Sequence, residues 1–198
     1  MEKQIWKPGN MLYPLPAVMV SVADRDGKPN IITVAWTATV CTNPPMLSIS
    51  VRPERYSYGS LIDTGEFVVN LTTEELVFAT DFCGVRSGRD VDKFAHLKLT
   101  AEAGSVVKAP LIGESPVNIE CKVQKVEKLG SHHMFLASVE AVHAGQQYMD
   151  EKGRFDLSKA NPIVYSHGEY CSLGKKLGKF GYSIQKGKHK KENSKIGK

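Results

Sequence analysis

Between residues 86 and 94 the chain reads Arg86-Ser87-Gly88-Arg89-Asp90-Val91-Asp92-Lys93-Phe94, two guanidinium groups and an ammonium set beside a hydroxyl and a glycine. These are the ingredients of a phosphate cradle. The glycine lets backbone amides come close, and the cations supply charge-assisted hydrogen bonds to phosphate oxygens. Arg52 and Arg55 stand where they can complete such a pocket or serve as surface charges. A solvated loop carries the same composition, so the loop alone leaves both readings open.

A second kind of chemistry is written between Asn30 and Arg52, NIITVAWTATVCTNPPMLSISVR. β-branched and aromatic residues (Ile31, Ile32, Val34, Trp36, Val40) alternate with hydroxyls (Thr33, Thr37, Thr39, Ser48, Ser50), and an Asn43-Pro44-Pro45 turn divides two expected strands. Small hydroxyl residues let backbone amides reach the edge of a flat heteroaromatic ring, and an ordinary half-exposed strand has the same pattern. Further on, Gly130-Ser131-His132-His133-Met134-Phe135 places adjacent histidines at the start of a strand, where their side chains face opposite sides. Two such histidines do not share a metal, and no further ligand spacing accompanies them, so no metal site is expected. A histidine beside a ring carbonyl can hydrogen-bond it and respond to its redox state, although a packing role suits a lone histidine as well. The sequence has no G-x-S-x-G elbow, no H-E-x-x-H, no Walker loop and no G-x-G-x-x-G opening a helix after a strand.

The elements that must position these groups are mostly strands. Ala17–Ala23 leads through an Asp26-Gly27 turn into the Thr-rich strand. Tyr58–Asp63 reads as a helical turn and Phe67–Leu71 as a strand. In TTEELVFATDFCG, Thr72 or Thr73 caps a helix that carries Leu76, Val77, Ala79 and Phe82 on its apolar side and closes at Gly84. Val117–Val126 offers Val117, Ile119, Cys121, Val123 and Val126 to a core, and Met134–Val142 is its antiparallel partner across a Lys128–Gly130 connection. Strands at hairpin spacing, without βαβ alternation, predict a mainly β, antiparallel barrel with a few peripheral helices. The last glycine-dense stretch, with Tyr165, Tyr170, Phe180 and Tyr182, disfavours a helix and suits chain packed closely on another surface.

At 198 residues and 41% hydrophobic content, one domain is expected. Residues 1–183 are assigned to it and 184–198 to a basic, flexible tail. The net charge of +5 owes much to that lysine-rich end, so polyanion or nucleic-acid binding through the tail is the minor reading. No run of about 18 apolar residues occurs, the start lacks the apolar core of a signal peptide, and a cytoplasmic location is expected. Cys41, Cys83, Cys121 and Cys171 are far apart and are expected to be reduced and mostly buried.

Together, TVAWTATVCTNPPMLSISVRPERYS, GEFVVNL, SGRDVDKF, GSHHMFLASV and YSHGEYCSLGKKLGKFG, in that order over about residues 10–183, resemble the flavin reductase-like proteins of the FMN-binding split-barrel superfamily, and within it the flavoredoxin branch. The resemblance implies an FMN-binding split β-barrel of Greek-key type and a homodimer holding FMN without a covalent bond near the subunit interface. It places Asn30, Trp36, Thr37, Ala38, Thr39 and Val40 along the isoalloxazine and Ser50, Val51 and Arg52 beside the ribityl phosphate. Ser57, Ser87, Asp92 and Lys93 fall at the phosphate end, and His132 and Tyr165 near the reacting face, with no side chain required as acid or base. The implied activity is that of an oxidoreductase or electron carrier of the flavoredoxin type, exchanging electrons with a redox protein. An NAD(P)H-dependent flavin or ferric reductase, and a non-redox binding module docking through its basic tail, are the alternatives.

Overall fold

A computed structural model describes residues 1–184. Of the tail expected at 184–198, residues 185–198 lie outside the described residues.

The centre is a seven-stranded antiparallel sheet built from β2 (Val18–Ala23), β3 (Pro29–Val34), β4 (Thr37–Cys41), β5 (Met46–Val51), β6 (Glu66–Leu71), β9 (Val117–Lys128) and β10 (His133–Ala144). Its order is β3-β2-β6-β9-β10-β5-β4. The two edge strands β3 and β4 are consecutive in the chain, separated only by Ala35 and Trp36. The sheet must therefore curl until its edges meet, which makes it a barrel, with the passage Ala35–Trp36 as its seam. Sequence reading expected one strand across this stretch and two between Asn30 and Arg52; the structure has three. The reason is tertiary. β3 pairs with β2 and β4 pairs with β5 on the opposite edge, and Ser50 N–H donates to Trp36 C=O at 2.8 Å where the chain crosses over.

Alternation along the strands fills the inside. Val18, Val20, Val22, Ile32, Val34, Leu47, Ile49, Val51, Phe67, Val69, Cys121, Phe135 and Ala137 form the barrel core. Four of the five positions expected of β9, Ile119, Cys121, Val123 and Val126, reach it, and Val117 is buried near one end of the strand. Val126 breaks the odd-numbered alternation of Ile119, Cys121 and Val123. It still faces inward because Gln124 bulges out of the β9–β10 ladder.

Met19 and Ile31 point outward instead, under an outer layer formed by α2 (Val77–Val85) and α3 (Lys93–Leu97). The expected helix after β6 starts later than its capping threonines suggest. Thr72 Oγ1 donates to Ala17 C=O and Thr73 Oγ1 accepts from Leu76 N–H within a turn, so both hydroxyls are used before α2 begins. Glycine at position 84 lies inside α2, whose last residue is Val85. A Cβ there would stand 3.3 Å from Thr33 Cβ, so glycine permits the close approach of helix to strand. Between β5 and β6 runs α1 (Tyr56–Thr64), ended by Gly65 at a left-handed φ of 64°.

A smaller sheet joins β1 (Leu15–Pro16), β11 (Ile163–Ser166) and β12 (Glu169–Ser172), and the ribbon β7 (Ala101–Glu102) and β8 (Leu111–Ile112) stands apart. The loop before β8 is held by a fully buried carboxylate. Glu120 accepts from the N–H groups of Ser105, Val106 and Val107 at 2.7–2.8 Å and lies 2.6 Å from His143 Nε2. Burial pushes this carboxyl up, but His143 and the three amides outweigh it and hold Glu120 at about 2. Among the described residues no helix is long and apolar enough to cross a membrane.

Candidate functional site

Two adjoining cavities open on the seam side of the barrel. They share Ile32, Arg52, Arg55 and Gly84 in their walls.

The larger, about 690 Å³, is lined along the seam by Ile32, Thr33, Val34, Ala35 and Trp36, along the end of β5 by Ser50 and Val51, and by His132, Tyr165 and Tyr170. This is a half-polar wall of backbone edges, hydroxyls and aromatic rings, of the size that holds a drug-sized planar ligand. The Trp36 and His132 rings are parallel within 6°, with centroids 6.0 Å apart. Burial first, then the Arg52 guanidinium and Arg55, lowers the His132 pKa, so its imidazole is neutral near neutral pH. Tyr165 and Tyr170 pair across the β11–β12 hairpin, rings edge-on at 5.8 Å, and the turn that sets them there passes through His167 and Gly168 at φ 50° and 88°. Tyr170 is pushed up to about 12 by burial and by neighbouring Asp81, which keeps its hydroxyl protonated.

The smaller cavity, about 260 Å³, is lined by Asn30, Ser57, Ser87, Gly88 and Lys93 together with Arg52, Arg55, Arg86 and Arg89. Lys93 sits at the start of α3 and is only 4% exposed. Its Nζ donates to Ile31 C=O at 2.6 Å and Cys83 C=O at 2.9 Å, tying β3 to α2 and leaving the third N–H of the ammonium unspent. Burial lowers its pKa. Asn30 Nδ2 donates to Ser57 Oγ at 2.7 Å, which frees the serine proton for another acceptor. Ser57 stands in the first turn of α1, a nine-residue helix with no side-chain cap and no acidic residue in that turn; Tyr58 N–H donates to Arg55 C=O at 2.9 Å, which leaves the amides of Tyr56 and Ser57 for an anion. Glycine at 88 is required by contact: a Cβ would meet Asn30 Oδ1 at 2.2 Å and Tyr56 Cδ1 at 2.6 Å.

Of the residues singled out in the sequence, Trp36, Ser50, Val51, Arg52, His132 and Tyr165 line the larger cavity, and Asn30, Arg52, Ser57, Ser87 and Lys93 the smaller. Thr37, Ala38, Thr39, Val40 and Asp92 lie outside both. Thr37 Oγ1 donates to Ser48 C=O, while Ala38, Thr39 and Val40 are exposed on the edge strand β4. The Asp92 carboxylate caps α3 by accepting from Ala95 N–H at 3.1 Å. Sequence reasoning did not place Tyr170, Asp81 or Asn10 at the site. Tyr170 had a signal, its position one turn beyond Tyr165, whereas Asp81 on the solvent side of α2 had none. Two of the four cysteines are buried, Cys83 and Cys121, and Cys171 is exposed. Among the described residues no three His, Cys, Asp or Glu gather to hold a metal.

Known proteins share this fold. A flavoredoxin of Desulfovibrio vulgaris (Miyazaki F) superposes with a TM-score of 0.86 at 31% identity, over 93% of this chain and 100% of that one. A flavoredoxin from Methanosarcina acetivorans gives 0.86 at 27% identity, over 93% and 98%. An uncharacterised protein of Archaeoglobus fulgidus is 32% identical over 141 residues, 71% of this chain and 78% of its own length. The model of the flavin reductase-like domain matches residues 11–174, which take in the seam, the cationic loop and the tyrosine hairpin. By that match, and by a barrel whose seam and cation-lined cavities lie within it, this chain belongs to the flavin reductase-like family.

Proposed function

We propose that the flavin used by this oxidoreductase is FMN, seated with its phosphate in the smaller cavity and its ring in the larger. The observation that carries the reading is the joining of a 260 Å³ cationic chamber to a 690 Å³ chamber walled by backbone edges and aromatic rings. A phosphate monoester fits the first by charge and donors: Lys93 offers one N–H, Ser57 and Ser87 their hydroxyls, Arg52 its guanidinium, and α1 its open first turn. The redox chemistry belongs to the bound flavin, which exchanges a hydride or single electrons. The protein's own part is to bind, orient and tune. Trp36, Ser50 and Val51 fix the plane of the ring, and neutral His132 presents a donor or acceptor without adding charge. Tyr165 closes the far side.

The support for a homodimer is the apolar surface that one chain leaves uncovered. Ile5, Trp6 and Leu12 near the start, Leu177, Phe180 and Ile184 near the end, and Val40 on edge strand β4 are all exposed. A second copy covering β4 would bring Ala38, Thr39 and Val40 out of solvent and toward the seam.

The test is the visible spectrum of the purified protein, repeated on the filtrate after denaturation. FMN released at about one per chain is expected. A colourless protein that fails to take up added FMN refutes the assignment. Steady nucleotide oxidation with exchangeable flavin would identify a reductase, and tight stoichiometric flavin with a protein partner an electron carrier.

A further inference from the structure

The second of the two adjacent histidines lines neither cavity. His132 turns toward the ring chamber, where its ring lies parallel to that of Trp36. His133, the first residue of β10, faces the other way, on the same side of the strand as Phe135, which belongs to the barrel core. There it meets α1. Its Nδ1 lies 2.7 Å from the Tyr58 hydroxyl, and the Tyr58 ring stands edge-on to His133 at 5.4 Å and to Phe135 at 5.8 Å. Leu61, one turn further along α1, is buried in the same core, so Tyr58 and Leu61 form the stripe by which the helix packs on the barrel.

Tyr58 follows Ser57 directly in the first turn of α1. Ser57 is buried against the smaller cavity, where Asn30 of β3 donates to its hydroxyl at 2.7 Å. The entry to the helix is tight: Arg55 N–H donates to Arg52 C=O at 3.1 Å and Tyr58 N–H to Arg55 C=O at 2.9 Å, so residues 52–55 alone join β5 to α1. The start of α1 is thus held from three strands, by the 52–55 turn to β5, by Ser57 to β3 and by Tyr58 to β10. Of these three ties, only the one from Tyr58 ends beside His132. It connects the helix turn that faces the phosphate chamber to the residue pair whose other member walls the ring chamber.

Resting on the FMN reading above, we propose that Tyr58 and His133 form a strut that sets the spacing between the phosphate seat and the ring wall, and so selects a flavin that carries a terminal phosphate over one that has none. Both are positioning residues, since neither lines either chamber. FMN joins its ring to its phosphate through a chain of set length, so both ends are satisfied together only where the two seats are held at a matching separation before the ligand arrives. Riboflavin brings a ring and no phosphate. It has nothing to place at the start of α1 and is indifferent to where that turn stands.

The experiment measures the dissociation constants of FMN and riboflavin by fluorescence titration of flavin-free protein, with melting curves on the same samples. The proteins are the wild type, Tyr58→Phe, His133→Leu, His133→Asn and a stability control, Val68→Ala, whose buried side chain packs with Val107, Ala109 and Leu111 away from both chambers. Tyr58→Phe removes one hydroxyl and keeps the ring. Loss of the strut predicts FMN weakened about five- to tenfold in Tyr58→Phe and His133→Leu, with riboflavin changed by less than about twofold. His133→Asn, whose amide reaches the place of Nδ1, is expected to restore the FMN-to-riboflavin ratio to within about twofold of the wild type. A ratio that keeps its wild-type value in Tyr58→Phe, whether both flavins weaken equally or neither does, overturns the proposal however far the melting temperature falls. A ratio that moves as far in Val68→Ala also overturns it, because the preference then follows stability alone. Wild-type protein that binds neither flavin, or both equally, overturns the FMN reading itself.

Discussion

Lys93→Met separates the two jobs assigned to one buried ammonium. Methionine keeps most of the aliphatic stem and removes all three N–H donors. The first consequence is structural. Ile31 C=O and Cys83 C=O lose partners at 2.6 and 2.9 Å, and a buried carbonyl left unpaired costs about 1–3 kcal/mol. Against this, an ammonium whose pKa is lowered chiefly by burial no longer has to be desolvated. A net loss of about 2 kcal/mol lowers the melting temperature by roughly 4–8 °C in a chain of this size. The second consequence concerns the ligand. In the proposed seat the remaining N–H would make a charge-assisted bond to phosphate worth about 1.5–3 kcal/mol, which is about 10- to 150-fold in affinity. Riboflavin, which has no phosphate, loses nothing by that route. Fluorescence titration of FMN and riboflavin into flavin-free protein, with melting curves on the same samples, reads both effects. Equal loss for the two flavins, or no loss for FMN, removes Lys93 from the phosphate site and leaves it a tie between β3 and α2.

Two further substitutions probe the ring chamber and the loop anchor. His132→Ala removes a neutral imidazole from the ring wall; if it hydrogen-bonds the ring, the loss of about 1 kcal/mol shifts the two-electron potential by about 20 mV. A large fall in melting temperature with an unmoved potential makes His132 a packing residue. Glu120 is held at about 2 against an ordinary 4.5, so its contribution is fully present above pH 4.5 and is lost as pH falls toward 2. Glu120→Gln is expected to lower stability by about 3 kcal/mol at neutral pH and to flatten the decline between pH 4.5 and 2. Melting curves of the two proteins that stay parallel across that range contradict the assigned role.

Much of this was legible in the residues because strand chemistry is local. Valines and isoleucines alternate along β2, β3 and β9, and the absence of βαβ spacing excludes a parallel sheet. The cationic loop was legible as a candidate phosphate cradle, although its composition left a solvated loop equally open. The seam was not legible. Ile31 to Val40 runs without glycine or proline, and only the closing of the sheet divides it, because β3 and β4 must serve opposite edges. The partners of Lys93 were hidden for a similar reason, since two of them are backbone carbonyls brought from β3 and α2. Glu120 sits at an outward position of an apparently simple alternating strand, and nothing local marks it as the anchor of a loop more than ten residues earlier. Even the expected helix cap moved, because Thr72 and Thr73 found bonds elsewhere first.

The seam at Ala35–Trp36 acts like the buckle of a belt. One uninterrupted stretch of backbone serves both ends of a ring of strands, and Val34, Ala35 and Trp36 also form a wall of the larger cavity. A barrel that parts at its buckle would expose the ligand's seat in the same movement, and a ligand lying along that wall would brace the ring from within. With a flavin in the proposed seat, opening of the barrel and release of the cofactor would be a single event.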